Sequence, residues 1–157
     1  MFLATVGDSR AFLASKKSNS YSVALTTEDH KPENKAETER IEATGGVVMA
    51  LKDADGSDFG PKRVWNKQMT APGLAMSRSI GDTMGTPLGV IAKPDIVKKT
   101  LDGEDAFVLI CSDGVFEFLS NENVLDIMLP YYRSNDLVGG CVKLVEQSTL
   151  EWKKVIF

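Results

Sequence analysis

Apolar and polar positions alternate in short runs through the first two thirds of the chain and fall at helical spacing in the last third. Residues 1–6 (MFLATV) read as a strand that begins at once, and Gly7, Asp8 and Ser9 as a tight turn. Residues 10–14 read as the returning strand, 16–20 as a polar turn, and 21–25 (YSVAL) as a third strand by their period of two. Pro32 permits a helix to start just after it. Residues 33–44 are predicted as that helix, stopped by Gly45, with a thin apolar stripe of Ala36, Ile41 and Ala43. Residues 47–51 form a predicted strand, 52–62 (KDADGSDFGPK) a polar loop and 63–65 a further short strand. Residues 68–89 are rich in Gly, Pro, Ser and Met and show little periodicity. They predict an ordered surface segment with a helical turn near 77–80.

Two more strands are predicted, at 95–99 and 106–111. The second (AFVLIC) is so continuously apolar that it reads as fully buried. Ser120 stands as an N-cap for a helix from 121 to about 131, with Val124, Ile127 and Met128 on one face. Asn135 or Asp136 caps a last helix to about residue 152. There Leu137, Val138, Cys141, Leu144, Val145 and Ser148 recur at helical spacing, and the chain then ends at KKVIF. No repeat or low-complexity linker interrupts this order, so the expectation is one domain over residues 1–157, of mixed α and β elements.

Composition narrows the partners. The chain has 18 basic and 22 acidic residues, a formal net charge of −4, which is unsuited to a phosphate backbone and argues against nucleic acid. No apolar run approaches the roughly 20 residues that cross a bilayer, and no secretory leader is visible, so no membrane partner is expected. Two cysteines, Cys111 and Cys141, make no disulfide framework, and an intracellular location, cytoplasmic or nuclear, is expected.

Candidate chemistry centres on two acid–glycine turns, Gly7-Asp8 after FLATV and Asp113-Gly114 after FVLIC. An acid at the end of a buried strand is costly unless something compensates it. Two such strands side by side in one sheet would bring the carboxylates together, as a hard cation such as Mg²⁺ or Mn²⁺ requires, and Glu117 follows Asp113 at a spacing that reaches the same ion. The competing reading is that Asp and Gly are simply common in turns. His30, the only histidine, is read as a structural side chain bonded to nearby backbone, and Arg78 as an ion-pairing residue that holds a loop. Arg10 is the other cation of interest. Asp53-Ala54-Asp55-Gly56 lacks the spacing of a calcium loop, and Cys111, inside a strand, is no nucleophile. Aspartyl-phosphate chemistry of the haloacid-dehalogenase kind at Asp113 needs a second acid where Val115 stands.

Five motifs then occur in order: VGDSRAFL at 6–13, LTTEDHKPENKAETERIEATGG at 25–46, PGLAMSRSIGD at 72–82, KPDI at 93–96 and CSDGVFEFLSNENV at 111–124. Together they resemble the type 2C metal-dependent protein serine/threonine phosphatases. The resemblance implies an α+β fold, part of an antiparallel β-sandwich flanked by helices, with a flap at about 47–70. It implies attack of a metal-bridging water on a phosphoserine or phosphothreonine of a protein substrate, with two Mg²⁺ or Mn²⁺ ions and in many members a third. By the same resemblance Asp113 is a ligand of the metal pair and Asp8 a ligand of the third ion. Glu117 stands where the family usually has Asp. The Asp-Gly-His-Gly motif of the family's N-terminal half does not occur in the sequence, and WKKVIF stands where a late ligand is expected. The expectation is therefore a truncated phosphatase domain, inactive alone and self-associating through exposed sheet edges. A non-catalytic phosphatase-like binding or regulatory module is the alternative.

Overall fold

The computed structural model describes residues 1–156, with side chains as far as Lys154; Phe157, the last residue of the KKVIF end, lies outside the described residues. Among the described residues, eight strands and four helices follow one another as β1 (Phe2–Thr5), β2 (Arg10–Lys17), β3 (Ser20–Thr26), α1 (Lys35–Ala43), β4 (Val47–Lys52), β5 (Asp58–Trp65), β6 (Pro72–Leu74), β7 (Asp95–Lys98), β8 (Asp105–Cys111), α2 (Asp113–Phe116), α3 (Asn121–Arg133) and α4 (Leu137–Ile156). The chain divides into two compact units. Unit 1 comprises residues 1–3, 9–27 and 97–157, and unit 2 comprises residues 4–8 and 28–96.

Unit 1 is built on the sheet β3-β2-β8, antiparallel throughout. β2 is its middle strand, and residues 11–15 are buried without a break. The expected β1–β2 hairpin does not form: β1 pairs with β7 in a separate two-stranded sheet, and β2 turns back into β3 instead. Phe12 and Ala14 of β2 and Leu109 of β8 face a core completed by Val115 and Phe116 of α2, Val124, Leu125 and Met128 of α3, and Leu144 of α4. Burying such side chains contributes about 1.5–3 kcal/mol each. The expectation that β8 is buried on both faces is corrected here. Leu109 is buried, but Val108 and Ile110 point outward, Ile110 at 68% exposure, so the strand is half-buried although its sequence is apolar throughout.

α3 begins as predicted. The Ser120 hydroxyl accepts from the Asn123 amide, and the Asn123 side chain accepts from the Ser120 amide, a reciprocal cap. α4 is capped at its start by Asp136, whose carboxylate accepts from the Gly139 amide. Its Trp152 donates Nε1–H to the carbonyl of Gly114 at 2.9 Å and meets the Phe118 ring edge-on, which ties the far end of α4 to α2.

Unit 2 holds the sheet β4-β5-β6 and α1, around Ile41, Val64 and Val90. Most of the predicted polar loop at 52–62 belongs to a β4–β5 hairpin, because β5 starts at Asp58. No helical turn forms at 77–80. Instead Arg78 makes an isolated bridge to Ile91, and the one helical turn of this segment is a 3-10 turn at Thr86–Leu88. The inward face of α1 also differs from expectation: Glu37 and Ile41 are buried, whereas Ala36 and Ala43 are exposed.

Candidate functional site

In unit 1, β8 delivers the chain directly into α2, a single turn that begins at Asp113. The Glu117 amide donates to the Asp113 carbonyl at 2.8 Å and Glu117 keeps helical backbone angles. Asp113 and Glu117 are thus one helical turn apart, on one face, and both are exposed. Like charges at this spacing repel by a few tenths of a kcal/mol, a cost that a cation between them offsets. Arg10 packs its guanidinium 4.5 Å over the Phe116 ring and donates to the Asn121 side chain at 3.0 Å, so it braces α2 and the start of α3. β2 and β8 pair Arg10 with Cys111 at one end of their sheet. Burial pushes the Cys111 thiol up to about 11, and the nearby Cys141 adds to the effect, so this sulfur stays protonated and unreactive.

β1 and β8 lie in different sheets, so the two acid–glycine turns do not follow adjacent strands. Asp8 belongs to unit 2, where it is 8% exposed and its Oδ2 receives the Lys31 ammonium at 2.7 Å. Gly7 before it has φ of +102°, a conformation natural to glycine. His30, at 2% exposure, accounts for that turn: its amide donates to the Gly7 carbonyl at 2.9 Å, and its Nδ1 accepts from the Gly7 amide at 3.1 Å. Because Nδ1 accepts, Nε2 carries the hydrogen and donates to Asp95 Oδ2 at 3.1 Å. Both ring nitrogens are used, so His30 is structural and not a free acid or base. The backbone it binds lies 23 residues away in sequence rather than nearby.

Asp95 leads into an ion network centred on the buried Glu37. Arg78 donates to Asp95 Oδ1 at 2.8 Å and grips Glu37 with two nitrogens, NH2 to Oε1 at 2.7 Å and Nε to Oε2 at 3.1 Å. Arg40 and the Ser77 hydroxyl also donate to Glu37 Oε2, at 2.8 and 2.5 Å. Burial alone would raise the Glu37 carboxyl, but the bonds from Arg78, Arg40 and Ser77 outweigh it and hold the group far below the usual carboxylate range. Arg78 is held above its ordinary value chiefly by Glu37, and Asp95 below its own chiefly by Arg78, then His30. The loop-holding role read for Arg78 is what the geometry shows. Glu37 and Lys31 escaped the sequence reading. The one signal for Glu37 was its place four residues before Ile41 on the helix.

Among the described residues, no three His, Cys, Asp or Glu side chains are gathered where they could hold a metal. The donor chemistry of Asp113, Glu117 and Asp8 nevertheless fits Mg²⁺ or Mn²⁺: all are carboxylates, and Mg²⁺ keeps several waters and takes only one or two protein carboxylates.

The family profile described as Protein phosphatase 2C matches residues 1–137. The chain is 39% identical over 154 residues to "Probable protein phosphatase 2C 52" of Arabidopsis thaliana and 41% identical over 154 residues to "Probable protein phosphatase 2C 12" of Oryza sativa subsp. japonica. Each alignment covers 98% of this chain but only 31% and 38% of the relative, so the chain spans about a third of the length of these curated relatives. Among solved structures, a serine-threonine phosphatase 2C from Toxoplasma gondii superimposes with a TM-score of 0.81 at 20% identity, over 98% of this chain and 49% of that one. A second phosphatase from a pathogenic Toxoplasma gondii strain gives 0.69 at 27% identity, over 94% and 42%. The α+β fold, the ordered motifs and the profile match agree: the chain belongs to the protein phosphatase 2C family.

Proposed function

We propose that this chain carries part of the catalytic apparatus of a metal-dependent protein serine/threonine phosphatase, with Asp113, Glu117 and Asp8 as ligands of Mg²⁺ or Mn²⁺. The observation that carries the reading is the profile match over residues 1–137, which includes all three acids. The substrate class is a phosphorylated protein. Bound at such carboxylates, divalent cations lower the pKa of water and neutralise charge on a phosphoryl group. The chain's own contribution is orientation. α2, braced by Arg10 and Trp152, presents Asp113 and Glu117 on one face, and the His30 loop fixes the turn that bears Asp8.

The 157 residues alone are expected not to turn over, because the sequence contains no Asp-Gly-His-Gly and one family pair ligand cannot hold two ions. Self-association is part of the same reading, supported by the exposed Val108 and Ile110 on the outward face of β8. The test is hydrolysis of a phosphothreonine peptide with Mn²⁺ titrated and with chelator as control. The chain alone should be silent, and a longer form from the same gene should be active and lose activity on Asp113→Ala. Turnover by the 157 residues alone overturns the inactivity claim. A longer form indifferent to Asp113→Ala overturns the assignment of that ligand.

A further inference from the structure

We infer that His30 is a positioning residue for the Asp8 carboxylate, acting through Gly7. The inference rests on the proposed reading of Asp8 as a metal ligand, and its geometric part stands on hydrogen bonds within unit 2. Four bonds converge on this one residue. Its amide and Nδ1 take both polar groups of Gly7, its carbonyl accepts from the Ser77 amide at 2.8 Å, and its Nε2 meets Asp95. The last bond decides the tautomer. Asp95 accepts only, so it holds the hydrogen on Nε2 and leaves Nδ1 as the acceptor that the Gly7 amide needs. Arg78, gripped by Glu37, fixes Asp95 in turn. Gly7 at φ +102° sets the direction in which the next residue leaves the chain, and Lys31, the next residue after His30, donates its ammonium to the Asp8 carboxylate there. Two consecutive residues of one loop thus hold two consecutive residues of another: His30 the backbone of Gly7, Lys31 the side chain of Asp8. For a hard cation this fixes the carboxylate's approach before the ion arrives, which lowers the reorganisation needed for binding.

Two isosteres separate positioning from packing. Asn at position 30 places an oxygen where Nδ1 stood and keeps an acceptor for Gly7. Gln places its amide where Nε2 stood, keeps the Asp95 partner and loses the Gly7 bond. The measurement is made on the ¹⁵N-labelled full chain, with the Val64 amide as a control for intact folding. It reads hydrogen exchange at the Gly7 amide and the Asp8 Hα–Hβ couplings. His30→Asn should keep the Gly7 amide protected and Asp8 in one rotamer. His30→Gln should speed exchange at Gly7 by about tenfold and average the Asp8 couplings. Unchanged Gly7 exchange and unchanged couplings in His30→Gln overturn the inference, as does equal loss in both variants. Paramagnetic broadening of the Asp8 amide by Mn²⁺ in the unmodified chain tests the underlying reading separately. Its absence overturns Asp8 as a ligand, while the couplings still decide whether His30 positions it.

Discussion

Gly7 and His30 exchange two hydrogen bonds that run in opposite directions, amide to carbonyl and amide to ring nitrogen. The exchange needs Gly7 at φ +102°, while the space around it is open enough, with the nearest atoms to an added Cβ at 3.6 and 3.8 Å. The penalty for a side chain there is therefore backbone strain rather than collision. Gly7→Ala should lower stability by about 1–2 kcal/mol, read by urea denaturation. A neutral result would mean that the turn relaxes without cost.

The Glu37 carboxylate should make the chain acid-sensitive. Its pKa in the folded chain lies below the ordinary 4.5, so the unfolded chain takes up the proton first. Its contribution is complete above that ordinary value and is lost as the pH falls below it toward the folded value. Glu37→Gln should flatten this acid limb in thermal melts at stepped pH. It should also cost about 3 kcal/mol at neutral pH, since it leaves the largely buried Arg78 short of its main partner. A variant with the parent's acid limb would show that other carboxylates dominate it.

The reciprocal cap at the start of α3 gives a smaller and local effect. Ser120→Ala removes the acceptor for the Asn123 amide and should cost about 1 kcal/mol. Amide exchange in the first turn of α3 should rise, with the last turn unchanged.

Ile110 tests self-association. At 68% exposure on the edge strand of its sheet, it contributes apolar surface and nothing to the core of its own unit. Ile110→Thr keeps the β-branched shape and should shift sedimentation toward the monomer with little change in melting temperature. A chain that is monomeric before the change would remove the association claim.

Most elements were legible because their signals are local. The Ser120 cap, the spacing of Val124 and Met128, and Gly45 after α1 each act within a few residues. The strand partners were not legible, because β2 chooses β8 over β1 through contacts nearly a hundred residues apart. The outward face of β8 misled for a physical reason: an apolar run states which residues tolerate burial, not which ones find a cover. For the candidate site, the three acids were read from the two acid–glycine turns and the spacing of Glu117, and their roles from the family resemblance. The groups that hold them could not be read that way. Glu37, an acid on a surface-looking helix, is buried because Arg78 and Ser77 arrive from some forty residues away to satisfy it, beside Arg40 of its own helix.

The strand order also has a consequence for synthesis. β2 and β3 leave the ribosome as a hairpin, but the third strand of their sheet follows roughly 80 residues later, and the helices that cover Phe12 and Ala14 later still. At ordinary translation rates that is several seconds in which the most buried strand of the finished protein stands open to water. Nascent chains of this sequence should bind a holding chaperone through β2 until α3 emerges.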